Sequence, residues 1–489
     1  MAFLRGPLPN VTRRQALTGL AATGVALVRS PALADIASAL ERYPLGDLSS
    51  IALWDVGARQ ALDEHDAARA LPPASVLKIM TALYARAALG PGYRLETELR
   101  ALGPIEDGTL QGGCALIGGG DPTLDANALK SMAEAFAEAG VRAVNGPFLL
   151  FDAALPAITE IEARQPAHVS YNPTVSGLNL NFNRVRIEWA PEEGGPGVEF
   201  FAPGQNFRVP LEGIGGEWGS APPPKHRLED GREIWALPRD RLTGRGALWL
   251  PVRQPARHAG EVFRALCGEV GIALAPPEIS PTAPDGTALV VHESGELDAI
   301  LTGMLRYSTN LTAEIVGLRA SQARGVAPSS LAESAAAMTD WAHEKYGLTD
   351  AQFVDHSGLS DRSRWSAAET IRVLLAESDG SLPDLLRDQP IVTEDGRRMA
   401  EISAQAKTGT LYFASGLAGY MQTPRRRLAF AIYSADLARR ATIPDRAPDA
   451  PRGARSWSNR ARALQRDLLR NWAQTRLPPA PLRPLPRPG

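Results

Sequence analysis

Ser75-Val76-Leu77-Lys78 sets a hydroxyl and a primary amine three positions apart. On a helix that spacing brings both side chains to one face, about 5 to 6 Å apart at Cβ. Serine is a poor nucleophile at its own pKa and needs an adjacent base, and a lysine can serve if its surroundings drive its proton off. A helix beginning at Ser75 adds free N–H groups and a positive dipole end, which favour an oxyanion forming beside the hydroxyl. Most serine–lysine pairs at this spacing are surface residues of a helix, so the pair needs company before it means anything.

Two further groups supply it. Ser308-Thr309-Asn310 falls between two stretches of helical spacing, where its bland reading is a cap or turn. Lys407-Thr408-Gly409-Thr410 reads as a strand whose ammonium attracts a carboxylate and whose glycine permits close approach of another backbone. The chain has only five lysines, at 78, 130, 225, 345 and 407, and two of them fall in these groups. An arginine cannot surrender its proton to act as a base, so lysine at 78 has a chemical reason.

The elements that must position these residues follow from periodicity. Ser49 to Val56 reads as a strand, and Val76, Met80, Leu83 and Ala87 form the apolar face of a helix that ends near Gly90-Pro91-Gly92. From Tyr93 to Pro284 short strand-like runs rich in glycine and proline predict a β-rich insertion, with an exit near Pro281 to Pro284. Helical spacing returns in Leu297, Leu301, Met304, Leu305, Leu311 and Ile315. Ser415 to Met421 and Leu428 to Ser434 predict a hairpin closing an antiparallel sheet. Trp457, Ala461, Leu464, Leu468 and Trp472 predict a last helix packed on that sheet, its arginines in water.

With 489 residues, two or three domains are expected. The composition, 44% hydrophobic and 22% charged with a net charge of -2, is that of a globular protein and gives no reason to invoke nucleic acid. Arg13 and Arg14 precede an apolar run from Ala16 to Val28 and Ala32-Leu33-Ala34, which predicts an export signal over residues 1–34, of twin-arginine type, with a mature start at Asp35. Membrane contact is expected to be peripheral at most, and residues 476–489, rich in proline, are expected to be a disordered tail. Cys114 and Cys267 are expected as buried thiols, a single bridge being the alternative. No His-Glu-x-x-His pair or phosphate loop is present, so no metal or cofactor is expected.

Taken in order, the three groups resemble the motifs of penicillin-binding proteins and class A β-lactamases. Pro73-Ala74-Ser75, Gly119-Gly120-Asp121-Pro122-Thr123-Leu124, Tyr171-Asn172-Pro173, Leu178 to Asn183, Asp355 to Ser360 and Gly419-Tyr420 make the resemblance specific. The chain is similar to peptidase family S13, the class C low-molecular-mass D-alanyl-D-alanine carboxypeptidases and endopeptidases. The resemblance implies an α/β (α+β) transpeptidase-like domain, an antiparallel sheet flanked by helices, built from 35–92 and 285–475. One or two small β-rich domains, 93–284, would split it. It implies hydrolysis of peptidoglycan stem peptides and cross-links in the periplasm through an acyl-enzyme, with β-lactams as covalent inhibitors. Oligomeric state is left open. The roles it implies are Ser75 as nucleophile and Lys78 as its base, with Ser308 and Lys407 passing a proton to the leaving amine. Asn310 would bind the substrate amide. Lys407, Thr408 and Thr410 would meet the terminal carboxylate, Gly409 would leave room for the substrate, and the N–H groups of Ser75 and Thr410 would form the oxyanion hole.

Competing readings are a β-lactamase or esterase on the same scaffold, and a cell-wall sensor with little turnover. Two departures from the family pattern stand out. Ile158 to Pro166 carries only Glu160 and Glu162 where an aspartate is usual, and His356 replaces a glycine, where a surface histidine in a turn is expected.

Overall fold

Alternation in the two penultimate strand-like runs produces the centre of the molecule. The computed structural model describes residues 36–45, 48–192, 195–219, 223–447 and 450–474, so the expected signal and tail lie outside the described residues. Ala414–Gln422 and Arg427–Ala435 pair antiparallel and are buried on both faces. Ala414, Ala418, Tyr420, Ala429, Ala431 and Tyr433 face one way, and Leu417, Met421, Leu428, Phe430 and Ile432 the other. The full sheet runs Arg387–Asp388, Ser403–Leu411, Ala414–Gln422, Arg427–Ala435, Leu48–Asp55, Gln60–His65, antiparallel throughout. Its first strand in sequence therefore pairs with its last, Ile51 opposite Ile432.

Large aliphatic side chains on one sheet face receive the helices Ile36–Arg42 and Ala454–Gln474. The expected stripe of Trp457, Ala461, Leu464, Leu468 and Trp472 is the buried one, and the Trp457 indole donates to the Leu45 carbonyl at 2.8 Å. On the other face small residues admit helices closely. There lie Lys78–Leu89, Leu297–Tyr307, Asn310–Ala323, Leu331–Tyr346 and Ala367–Ala376.

Between Leu89 and Leu297 the chain builds two further cores. One is a five-stranded sheet, ordered Pro277–Ile279, Phe148–Phe151, Cys114–Gly118, Glu96–Ala101, Thr287–Glu293, packed against the helices Ala126–Glu138 and Pro255–Glu269. The other is a four-stranded and a three-stranded sheet enclosing Ile187, Phe200, Trp235 and Leu237. The insertion is thus not β-structure alone. Leu129, Met132, Ala133 and Phe136 already carry helical spacing, and Asp125 caps their helix by accepting from Ala128 N–H. Thr287–Glu293 also lies past the expected exit near Pro284, because it pairs with Glu96–Ala101 as the edge of the insert sheet. Cys114 and Cys267 are free and buried in the first of these cores.

Candidate active site

Ser75 sits in a 3-10 turn, Ala74–Leu77, and the α-helix proper begins at Lys78. With three residues per turn, positions i and i+3 eclipse, so the turn aligns Ser75 with Lys78 more closely than an α-helix would. Ala74 before it has φ 48. The turn nests on the glycine-bearing strands: a Cβ on Gly409 would lie 2.6 Å from the Pro73 carbonyl and 3.0 Å from the Ser75 nitrogen, and one on Gly416 would lie 2.9 Å from Val76. Gly409 and Gly416 are cross-strand partners. The Cβ side of Gly409 is thus filled by the nucleophile's own turn.

Lys78 is completely buried, and its Nζ donates to Ser75 Oγ at 3.1 Å, Asn310 Oδ1 at 2.8 Å and the Ser357 carbonyl at 2.7 Å. Three acceptors satisfy an ammonium. A neutral amine would keep the two shorter bonds as donor and turn its lone pair to the Ser75 hydroxyl. Burial lowers the Lys78 pKa from its ordinary 10.5 to about 8, against the opposing charges of Glu314 and Asp355. Both acids are buried, and burial raises both of their pKa values. Asp355 accepts from Gly358 and Ser360 N–H at 2.9 and 2.7 Å, which folds the loop that presents Ser357. Gly358, at φ 72, leaves no room for a side chain against the Ala74 carbonyl.

Ser308 links the helices Leu297–Tyr307 and Asn310–Ala323 in the left-handed conformation, φ 59 and ψ 39, unusual for a serine and of a kind that clusters at functional sites. Lys407 Nζ donates to its hydroxyl oxygen at 3.0 Å and to the Thr408 carbonyl at 2.7 Å. Burial, then Lys78, then Arg387 push the Lys407 pKa well below 10.5. Asn310 is spent on the protein on both sides, since its Nδ2 donates to the Tyr171 carbonyl at 2.9 Å while its Oδ1 receives Lys78. One amide hydrogen is left for a ligand.

Ser75, Ser308, Asn310 and Thr410 line one cleft of about 690 Å³. Thr408 is exposed on the same strand face as Thr410, and the two line a smaller depression with Arg466 that shares Arg462 with the cleft. The far wall comes from the insertion, through Glu162, Arg164 and Tyr171. Glu160 is taken up by Arg253 and Arg446, so Glu162 is the acid of that pair that reaches the cleft. Arg164 and Arg440 meet on Asp361 at 3.2 and 3.0 Å, binding the insertion's wall to the sheet domain.

Sequence reasoning passed over Glu314, Arg440 and Asp361. Glu314 had a signal, lying one helical turn after Asn310. His356 is corrected: it is fully buried, bonded through Nε2 to Ser334 Oγ at 2.8 Å and stacked on Tyr84, where burial lowers its pKa to about 3. A Cβ on Gly317 would strike its ring, so a glycine on the neighbouring helix makes the room that the larger loop residue needs. Among the described residues no cluster of three His, Cys, Asp or Glu side chains could hold a metal ion. No helix among them is long and apolar enough to cross a membrane.

The family described as the D-Ala-D-Ala carboxypeptidase 3 (S13) family matches residues 32–448. The chain belongs to the S13 family. An S13 member is a serine hydrolase, and this one is a serine-type D-Ala-D-Ala carboxypeptidase. Among S13-like relatives, a D-alanyl-D-alanine carboxypeptidase of Actinomadura sp. (strain R39) is 28% identical over 82% of this chain and 83% of its own. The D-alanyl-D-alanine carboxypeptidase DacB of Haemophilus influenzae is 24% identical over 81% and 87%. The fold is that of the crystal structure of penicillin binding protein 4 (dacB) from Haemophilus influenzae, with a TM-score of 0.72, 20% identity and coverage of 90% of this chain and 99% of that one.

Proposed function

We propose that this S13 enzyme cuts the bond after the penultimate D-alanine of peptidoglycan stem peptides, both at free termini and in cross-links, with Ser75 as nucleophile and Lys78 as base. The observation that carries the reading is the Lys78 amine, buried, held by Asn310 and Ser357, and left with one position on Ser75 Oγ. The Ser75 proton passes to Lys78 Nζ as Oγ bonds to the carbonyl carbon. Backbone N–H groups of Ser75 and Thr410 face the resulting oxyanion, consistent with the close approach of the Gly409 strand to the Ser75 nitrogen. The C–N bond breaks as the Ser308 hydroxyl protonates the departing amine. Because Lys407 donates to Ser308 Oγ, that hydroxyl hydrogen is free to point into the cleft, and Lys407 resupplies it. Water then attacks the ester and frees Ser75. A β-lactam opens on Ser75 in the same first step, and its leaving amine stays tethered, so the ester persists. Thr410 and the Lys407 charge suit the terminal carboxylate, while Asn310 offers its one remaining N–H to the peptide.

The domain architecture fits this use: a transpeptidase-like domain, formed by both ends of the chain, bears the catalytic groups, and the insertion supplies the opposite wall. Arg13-Arg14 and the apolar run after them support export to the periplasm. Release of free D-alanine from a D-Ala-D-Ala pentapeptide, and of monomers from cross-linked muropeptides, tests the reading. Both activities should vanish in Ser75→Ala. Retention of either in that variant would refute the assignment.

A further inference from the structure

Glu314 touches no reacting atom, yet both acceptors that hold Lys78 depend on it or on its helix. It is completely buried and lies one turn beyond Asn310 in the helix Asn310–Ala323. Its Oε2 accepts from His356 N–H at 3.0 Å and its Oε1 from Ser357 N–H at 2.9 Å. Ser357 is the residue whose carbonyl receives Lys78 Nζ. Two adjacent N–H groups need two acceptor oxygens, which a carboxylate has and a carboxamide lacks. Aspartate is one methylene too short to reach them from the same Cα. We infer that Glu314 is a positioning residue: its carboxylate clamps the His356–Ser357 amides so that Ser357 and Asn310 hold the Lys78 amine on Ser75, and its charge balances the Lys78 ammonium.

The charged groups acting on Glu314 are Asp355 on the loop and Lys78 on the nucleophile helix, and the buried His356 ring is neutral. Lys407 acts on the cluster from the strand opposite through its neighbour Lys78. Burial and Asp355 raise the Glu314 pKa to about 8, where burial also brings Lys78, so the two titrate as a pair. Within it the Glu314 carboxylate raises the Lys78 pKa, and a neutral amide in its place favours the free amine. Reach and charge are thus separable by substitution.

The inference rests on Lys78 being the base, and its test is the pH profile of benzylpenicillin acylation, followed by intact mass, for the wild type, Glu314→Gln and Glu314→Asp. Glu314→Gln should move the acidic limb down by about one pH unit or more, as loss of a nearby opposite charge does. Its plateau should fall by roughly tenfold to a hundredfold, the effect of a misplaced catalytic group. Glu314→Asp should keep the limb where the wild type has it and lose plateau rate. A limb unmoved in Glu314→Gln, at any plateau, would overturn the inference, because a merely structural role lowers the rate alone. Should the Gln variant fail to fold, the same profile of Glu314→Ala decides, a limb moved down with a lowered plateau supporting the inference and an unmoved limb overturning it. No labelling of wild-type Ser75 would instead bring down the parent assignment of Ser75 and Lys78.

Discussion

Lys78 has two opposed requirements, to be buried enough to lose a proton and surrounded by enough acceptors to stay in place. Burial brings its pKa to about 8, and the amine is the form that takes the Ser75 proton. Acylation should therefore rise with pH and level off above about 8, and at pH 6 it should run at on the order of a hundredth of its plateau. A stopped-flow β-lactam acylation profile checks this, and a rate flat from pH 6 to 9 would contradict it. Lys78→Arg should cost about 10² to 10⁴ in acylation at every pH below 10, since guanidinium keeps its proton. Residues with a chemical type and a spacing, Ser75, Lys78, Ser308, Asn310 and Lys407, were legible in the sequence, and the structure brings all five together. The tuning roles of Glu314 and Asp355 were not, because they act through burial and through amides of a distant loop; the helical spacing of Glu314 from Asn310 and the motif that begins at Asp355 mark the positions without showing what they touch.

At the scale of elements, the site is a turn, a helix junction and a strand pressed together where side chains are missing. Gly409, Gly416 and Gly358 make the fit around Ala74 to Val76. Gly358→Ala puts a methyl against the Ala74 carbonyl at a positive φ, so it should displace the Ser75 turn and lower acylation at least roughly tenfold. Wild-type rates in that variant would show that the turn is held otherwise. The strand and helix were readable from period and glycine content, but which surface each glycine faces was not. His356 shows the same limit, since a polar residue in a glycine-marked loop reads as surface, and only Gly317 on another helix reveals its socket. Its folded-state pKa, about 3, lies below the ordinary 6.5. The unfolded chain binds that proton first, so stability falls as pH drops below 6.5 and the loss ends near 3. Urea unfolding of the wild type against His356→Gln should show this slope in the difference. Equal pH dependence would contradict a buried neutral ring.

For the whole molecule, the two ends of the chain make one sheet, and about two hundred residues between them make the cleft's far wall. The ends were legible because strand and helix alternate there in plain periods, while the edge strand Thr287–Glu293 was not, its partner lying far away in sequence at Glu96–Ala101. Joining the ends depends on the last helix. Trp457, fully buried, packs edge-on to Phe413 and bonds Leu45. Trp457→Ala should cost about 3 to 5 kcal/mol in urea unfolding of the sheet domain; a cost below about 1 kcal/mol would mean that the helix is dispensable. The central claim, an acyl-enzyme on Ser75, is tested most directly by intact mass of the whole protein after a short pulse of benzylpenicillin, with peptide mapping of the adduct. The account predicts one penicilloyl group per molecule, on Ser75, lasting many minutes and absent from Ser75→Ala. An adduct on another residue, or labelling that survives in Ser75→Ala, would contradict it.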